Sequence, residues 1–426
     1  MKRPVKPAFL LWAALCAALA LFAGCAPAAS RAARPANEVA YPVAVSYDDY
    51  EGQRAVREQN PVSDATIARV NGFAYRSADA LLPDAQGNAN YSPLSLYYAL
   101  ALLCEGAEGE TRAELAEALT GVPDGTPGEE LGNLMRRLYT DDGIGRLEIA
   151  NALWMREGIP FGAAFCETAA QEYYAALFTL DFDDAAAGRA IAAWVAEQTG
   201  GMVEPEVTLS PGQILLLANT VLFEDEWFDV FSEEKTADGT FHAPGGDVTV
   251  PFLHALRTGG FARGEGFARA SLPLKSAGSM TFVLPDEGTD VAALLEGQGL
   301  AGLLETGEEA VAEIEWSLPK FAFDCEYDLA PMLRALGVTR AFQPDAALDG
   351  IHPDAYLSAA TQQTHIAIDE KGVAAAAFTR LDVAGAADVE PQRVSFTLDR
   401  PFLFAITTAQ GALLFVGVVA SPSPAA

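Results

Sequence analysis

A chain of 426 residues with 58 acidic against 27 basic side chains carries a net charge of −31, which opposes association with nucleic acid or with a heparin-like anionic polysaccharide. Hydrophobic residues make up 50% of the chain and no Pro/Gly/Ser-rich break divides it after residue 65, so one large domain with a substantial core is expected. The four histidines, His242, His254, His352 and His365, lack metal-site spacing, and no serine stands in a Gly-x-Ser-x-Gly elbow. Neither a metal, a cofactor nor hydrolase chemistry is expected.

At the N-terminus, Lys2, Arg3 and Lys6 precede an apolar run from Ala8 to Ala23, long enough for a signal-peptide core and short for a permanent membrane span. The run ends in Phe22-Ala23-Gly24-Cys25, similar to a bacterial lipobox, in which small residues admit a peptidase and the cysteine thiol then carries lipid. Residues 1–24 are therefore read as an export signal and Cys25 as the lipidation site; ordinary signal cleavage with Cys25 incidental is the alternative. Two acyl chains on one diacylglycerol suffice for stable attachment, here to the extracellular face of the cell membrane and through the anchor only. Residues 25–64 read as a tether, because 26–60 show neither helical nor strand periodicity. Fully stretched, that segment reaches about 115 Å at ~3.3 Å per residue. Its Tyr-rich part, Tyr41 to Tyr50, could instead dock on the domain. With Cys16 removed and Cys25 lipidated, Cys104, Cys166 and Cys325 form an odd set, best read as small apolar residues.

Helical patterns dominate the first half of the domain, at Pro93 to Leu103, Thr111 to Leu119 and Phe165 to Leu177, with a strand at Arg146 to Trp154. Strand-like runs dominate the second, at Ile214 to Phe223, Met280 to Leu284, Phe402 to Thr408 and Leu413 to Val419. That distribution predicts an α+β fold. Ser92-Pro93 reads as a helix start, the serine hydroxyl as cap and the proline at the first helical position.

Several segments resemble the serpin family, in the family's order. They are Asn90-Tyr91-Ser92-Pro93-Leu94-Ser95-Leu96, Asn151-Ala152-Leu153-Trp154, Asn219 with Phe223, Trp227 and Phe231, and Leu318-Pro319-Lys320-Phe321. Met332 to Phe342, Phe396 to Phe402 and Leu414-Phe415-Val416-Gly417 complete a likeness that runs from residue 65 to 420, with the domain at 65–422 and a tail at 423–426. The resemblance implies a large central mixed sheet, further smaller sheets, eight to nine helices and an exposed reactive loop at about 370–395. It also implies a buried polar cluster of Ser92, Ser95, Asn219 and Gln362 where the large sheet opens, Gln362 standing where the family often has His. Trp227 falls at the breach above that cluster, and Glu370 is implied to pair with Lys320 at the loop base. One departure is Ala192, where the family usually has Asn before the aromatic residue, here Trp194.

Asp369-Glu370-Lys371-Gly372-Val373-Ala374-Ala375-Ala376-Ala377 resembles the serpin hinge that slides between two existing strands. An alanine run taken alone favours helix. Here the strand-like Thr364 to Ile368 leads in and Arg400-Pro401-Phe402 leads out, so an insertable strand is expected instead. Alternation then puts Val373, Ala375, Ala377 and Thr379 on the inward face, and Ala374, Ala376, Phe378 and Arg380 outward. Counting as the family does from Glu370 places the scissile bond at Ala386-Ala387, with Gly385-Ala386 the foremost neighbour. The flanking Val383-Ala384-Gly385-Ala386 suits a serine protease with a shallow, elastase-like or subtilisin-like pocket. The resemblance implies a monomeric suicide substrate rather than an enzyme: the protease acylates Ala386, and insertion of Gly372 to Ala386, about 50 Å of strand at ~3.3 Å per residue, carries it away before hydrolysis. The alternatives are a non-inhibitory binding protein of the same fold, or a substrate that is cut without trapping.

Overall fold

The computed structural model describes residues 34–83, 87–203, 205–210, 212–373 and 392–423. Its architecture is α+β, with two large sheets and helices packed on and between them. Five helices matter below: α1 (Tyr50–Gln59), α2 (Asp64–Leu81), α3 (Pro93–Glu105), α4 (Gly109–Thr120) and α5 (Leu131–Leu138). In α3 every residue from Pro93 to Cys104 is buried. A helix apolar on all sides belongs in a core, and α3 lies against α2, α4 and strands of both sheets.

The first sheet contains β1 (Arg34–Pro35), β2 (Arg146–Arg156), β3 (Ala175–Leu180), β4 (Leu215–Glu226), β5 (Phe321–Asp328), β6 (Leu357–Ile368) and β7 (Gly372–Val373). Their order across the sheet is β1-β3-β2-β4-β7-β6-β5, with Thr140–Asp141 added to β2. The sheet is mixed, since β2 with β3 and β4 with β6 run parallel while the remaining neighbours run antiparallel. The second sheet has nine strands, including Phe402–Thr408 and Leu413–Val419. Further sheets beside the large one were expected, and they are joined here. One forms among the described residues because a single 19-residue strand, Gly246–Gly264, carries neighbours along its length and joins their ladders.

Three expectations give way. The helix expected over Phe165 to Leu177 ends at Gln171, and Ala175–Leu180 forms β3 instead. Tyr174, at φ +52°, turns the chain, and parallel pairing with Asn151–Arg156 then selects the extended form. Residues 34–60 are not a free tether. Asp49 caps α1, its carboxylate accepting from the Gly52 N–H at 2.9 Å, and Arg34–Pro35 pair with the edge of β3. Asn37 fastens this segment by donating to Ala175 O and accepting from the Leu177 N–H, both at 2.9 Å, while Tyr41 stacks on Tyr139 and Tyr174. The hydroxyl of Ser92 does not cap α3; it donates to Leu414 O at 2.8 Å, tying the helix start to the second sheet. Among the described residues no helix is long and apolar enough to cross a membrane, and Cys104, Cys166 and Cys325 are free thiols, with only Cys104 fully buried.

Candidate functional site

Parallel strands β4 and β6 pair from Leu215 with Leu357 up to Thr220 with Gln363, and there their ladder stops. Above that point β7 stands between them, Gly372 and Val373 pairing antiparallel with Glu226 and Asp225 on one side and Val373 with Ile368 on the other. Val221–Glu224 and Thr364–Ala367 thus face a stretch with no described strand between them. The first two residues after the loop base are already sheet, and Val373 is fully buried on the inward side.

The base itself is held from three directions. Trp227, fully buried, donates its indole N–H to Asp369 O at 2.9 Å and its backbone N–H to Lys371 O at 2.8 Å. The Phe231 N–H donates to Glu370 O at 2.7 Å. The Glu370 carboxylate accepts from Lys320 Nζ at 2.8 Å and from the Thr236 hydroxyl at 2.7 Å. Burial pushes the Glu370 carboxyl upward, but the Lys320 and Thr236 bonds outweigh it and hold it below its ordinary value. Thr236 carried no signal in the sequence.

Below the opening, Gln362 joins three elements. Its Oε1 accepts from the Ser92 N–H and its Nε2 donates to Ser92 O and to Asn219 Oδ1, each at 2.9 Å. Asn219 Nδ2 donates in turn to Ser95 O at 3.1 Å and to Asn151 Oδ1 at 2.6 Å. Ser92, Ser95, Asn219 and Gln362 therefore meet, but Ser95 takes part through its carbonyl while its buried hydroxyl has no partner. Asn151, noted in the sequence only as part of a motif, is a full member. This network spans the β4–β6 seam and anchors it to the N-terminus of α3. On the opposite face of the sheet, the last rung of the seam is poorly satisfied: Thr220 Oγ1 and Gln363 Oε1 are buried without a hydrogen-bond partner among the described residues. Each such atom costs about 1–3 kcal/mol.

The top of β4 is more acidic and more buried than its sequence suggests. Glu226 pairs with Lys275 at 2.5 Å, and Asp225 accepts from the N–H groups of Glu226, Ser276 and Ala277 at 2.6–3.1 Å. Burial nonetheless raises the Asp225 carboxyl to about 7, against the pull of those donors. Cys25, Ala374, Ala375, Ala376, Ala377, Ala386 and Ala387 lie outside the described residues, and no group of metal-ligating side chains forms among the described ones.

The site is thus a mixed sheet that parts above a polar clasp, with the start of a loop seated in the gap. The model of the serpin (serine protease inhibitor) family matches residues 68–422, and the chain belongs to that family. It is 31% identical to an uncharacterized serpin-like protein of Thermococcus kodakarensis, covering 86% of this chain and 87% of that one. Among solved structures it is similar to the thermophilic serpin tengpin in its native state, with a TM-score of 0.77, 25% identity and coverage of 92% of this chain and all of the other. It is also similar to thyroxine-binding globulin in complex with thyroxine, with a TM-score of 0.71, 26% identity and coverage of 84% and 99%. The fold is thus that of a family whose members are in general inhibitors of serine proteases rather than catalysts.

Proposed function

We propose that this chain inhibits a serine protease with a shallow, elastase-like or subtilisin-like pocket, acting as a suicide substrate whose cleaved loop enters the large sheet. The observation that carries the reading is the seated hinge, Gly372 and Val373 paired to β4 and β6 with Val373 turned inward. Continuing that antiparallel register sets Ala374–Ala377 of an inserted strand against Glu224–Val221, where no ladder has to break. Phe378 then meets Thr220 and Gln363, the first of six rungs that must part. That rung is the one with two unsatisfied polar side chains, so opening begins where the seam gains least from staying shut. Next comes the Gln362–Asn219 clasp, which resists opening until the inserting strand replaces its backbone pairing.

In the reaction the protease serine oxygen attacks the carbonyl carbon of Ala386, the Ala386-Ala387 amide bond breaks, and its nitrogen leaves protonated as the amine of Ala387. The acyl ester stays on the loop as it inserts, and hydrolysis is outrun. Export and a lipid anchor on Cys25, read from the N-terminal sequence, place this trap on the extracellular face of the cell membrane.

Incubation with an elastase-like protease is expected to give an SDS-resistant complex and a released fragment beginning at Ala387 or within two residues of it; clean cleavage without complex contradicts trapping. Ala375→Arg turns inhibitor into substrate, since a guanidinium would have to enter the core as the strand closes. The likeness to thyroxine-binding globulin supports a second reading, a carrier that does not trap. A carrier predicts cleavage without complex and indifference of the protease reaction to Ala375→Arg.

A further inference from the structure

The sequence has no basic cluster, yet the fold assembles one. A cavity of about 170 Å³ lies between residues 43–57, the end of α5, the start of β2, the top of β4 and the 275–277 loop. Four arginines, Arg57, Arg136, Arg137 and Arg146, are among the residues that line it, together with Lys275. Of these four arginines, among the described residues only Arg146 has a carboxylate at ion-pair distance, Glu148 at 2.8 Å.

Arg136 is positioned without a direct ion pair among the described residues, although the Glu172 carboxylate lies nearby across Gly132. It donates to Asn60 Oδ1 at 2.6 Å, Asn133 Oδ1 at 2.8 Å and the Tyr174 hydroxyl at 3.0 Å, all uncharged oxygens. Arg57 and Arg137 make no ion pair among the described residues, and Arg137 Nε is buried without any hydrogen-bond partner. Burial, and then the neighbouring charge of the more exposed Arg57, lower the proton affinity of Arg137. The cavity also has acidic groups, at its other end. Asp142 is engaged by the N–H groups of Ile144 and Gly145 and the Ser276 hydroxyl, Asp225 by three backbone N–H groups, and Glu224 lies beside Arg146. None of them reaches the guanidinium groups of Arg57, Arg136 or Arg137 at ion-pair distance. In a chain of net charge −31, three cations on one cavity without a direct carboxylate partner among the described residues form a deficit that an external anion would fill.

We propose that this cavity binds a compact, multiply charged oxyanion, a phosphate or a small polycarboxylate, held by Arg57, Arg136 and Arg137. Planar guanidinium groups match the oxygen pairs of both classes, and a cavity of about 170 Å³ is of a size for one such ion. Occupancy ties α1 to α5, and so the segment before residue 60 to the body of the protein.

Thermal unfolding of the full chain, titrated with inorganic phosphate or with citrate against sodium chloride of equal ionic strength, tests this. The expected result is a saturable rise in Tm for at least one anion, of about 2 °C at ten times its dissociation constant. Which of the two saturates at lower concentration identifies the class. Arg137→Gln and Arg57→Gln each abolish the rise while melting no lower than the parent in chloride, because each removes a repulsion. Arg54→Gln, on the exposed side of α1, leaves the rise intact. No rise beyond the chloride control, or an equal rise in Arg137→Gln, overturns the proposal; so does an equal loss in Arg54→Gln, which would mean general charge screening.

Discussion

Replacing Gly372 by alanine probes the seated hinge at its tightest point. A Cβ there would lie 2.0 Å from Asp225 O and 2.7 Å from the Cα of Glu226, both backbone atoms of β4. Strand β4 cannot withdraw, because Glu224 pairs with Arg146 of β2 and the Asp225 carboxylate is fixed by the 276–277 loop. The hinge must move instead, which exposes Val373 at a cost of about 1.5–3 kcal/mol. At roughly 1–2 °C per kcal/mol for a domain of this size the intact chain should melt about 3 °C lower. Hydrogen exchange gives the local readout: the Trp227 amide, which donates to Lys371 O, should lose protection while amides of α3 keep theirs. An unchanged Tm with full protection at Trp227 would show that Gly372 does not occupy the gap, and the argument for a seated hinge would fail.

Other outcomes follow from the same geometry. Gln362→Ala leaves the Ser92 N–H and Asn219 Oδ1 unpaired in the core, so it should lower stability by about 2–4 kcal/mol in urea unfolding and speed strand insertion. Because Glu370 is held below its ordinary value, its contribution is fully present at neutral pH and is lost as pH falls from about 4.5 through its folded value. The Tm difference between the parent and Glu370→Gln should therefore shrink in acid, and a difference that grows on acidification would contradict the Lys320 pairing. Removing the residues before 61 uncovers the edge of β3, and the truncated chain should self-associate in size-exclusion chromatography where the full chain does not.

Much of the fold could be read from the chain because its central strands are unbroken apolar runs. Phe402–Thr408 and Leu413–Val419 have the expected limits, since nothing but a buried strand accommodates such runs at that length. β4 extends past its apolar run because Glu224-Asp225-Glu226 looks like a solvated turn. Only the distant Lys275 and the 276–277 amides make burial of Asp225 and Glu226 tolerable. α1 was missed because its composition is charged, although Asp49 ahead of it and the Arg54–Glu58 pair four residues apart were local signs of a helix. The polar cluster was legible through family likeness alone. Which atoms of Ser92 and Ser95 take part depends on the positions of Leu414 O and Asn219, contacts some 320 and 120 residues away that no local pattern encodes.

The account stands or falls on whether the loop gains more by entering the sheet than by remaining in water. The most direct measurement is the melting temperature of the chain after a single cut near Ala386, compared with the uncut chain. Insertion predicts that the cut molecule melts higher by more than about 10 °C, several kcal/mol on the usual scale. A cut molecule that melts at or below the intact one would leave a protein of this shape with no spring in it.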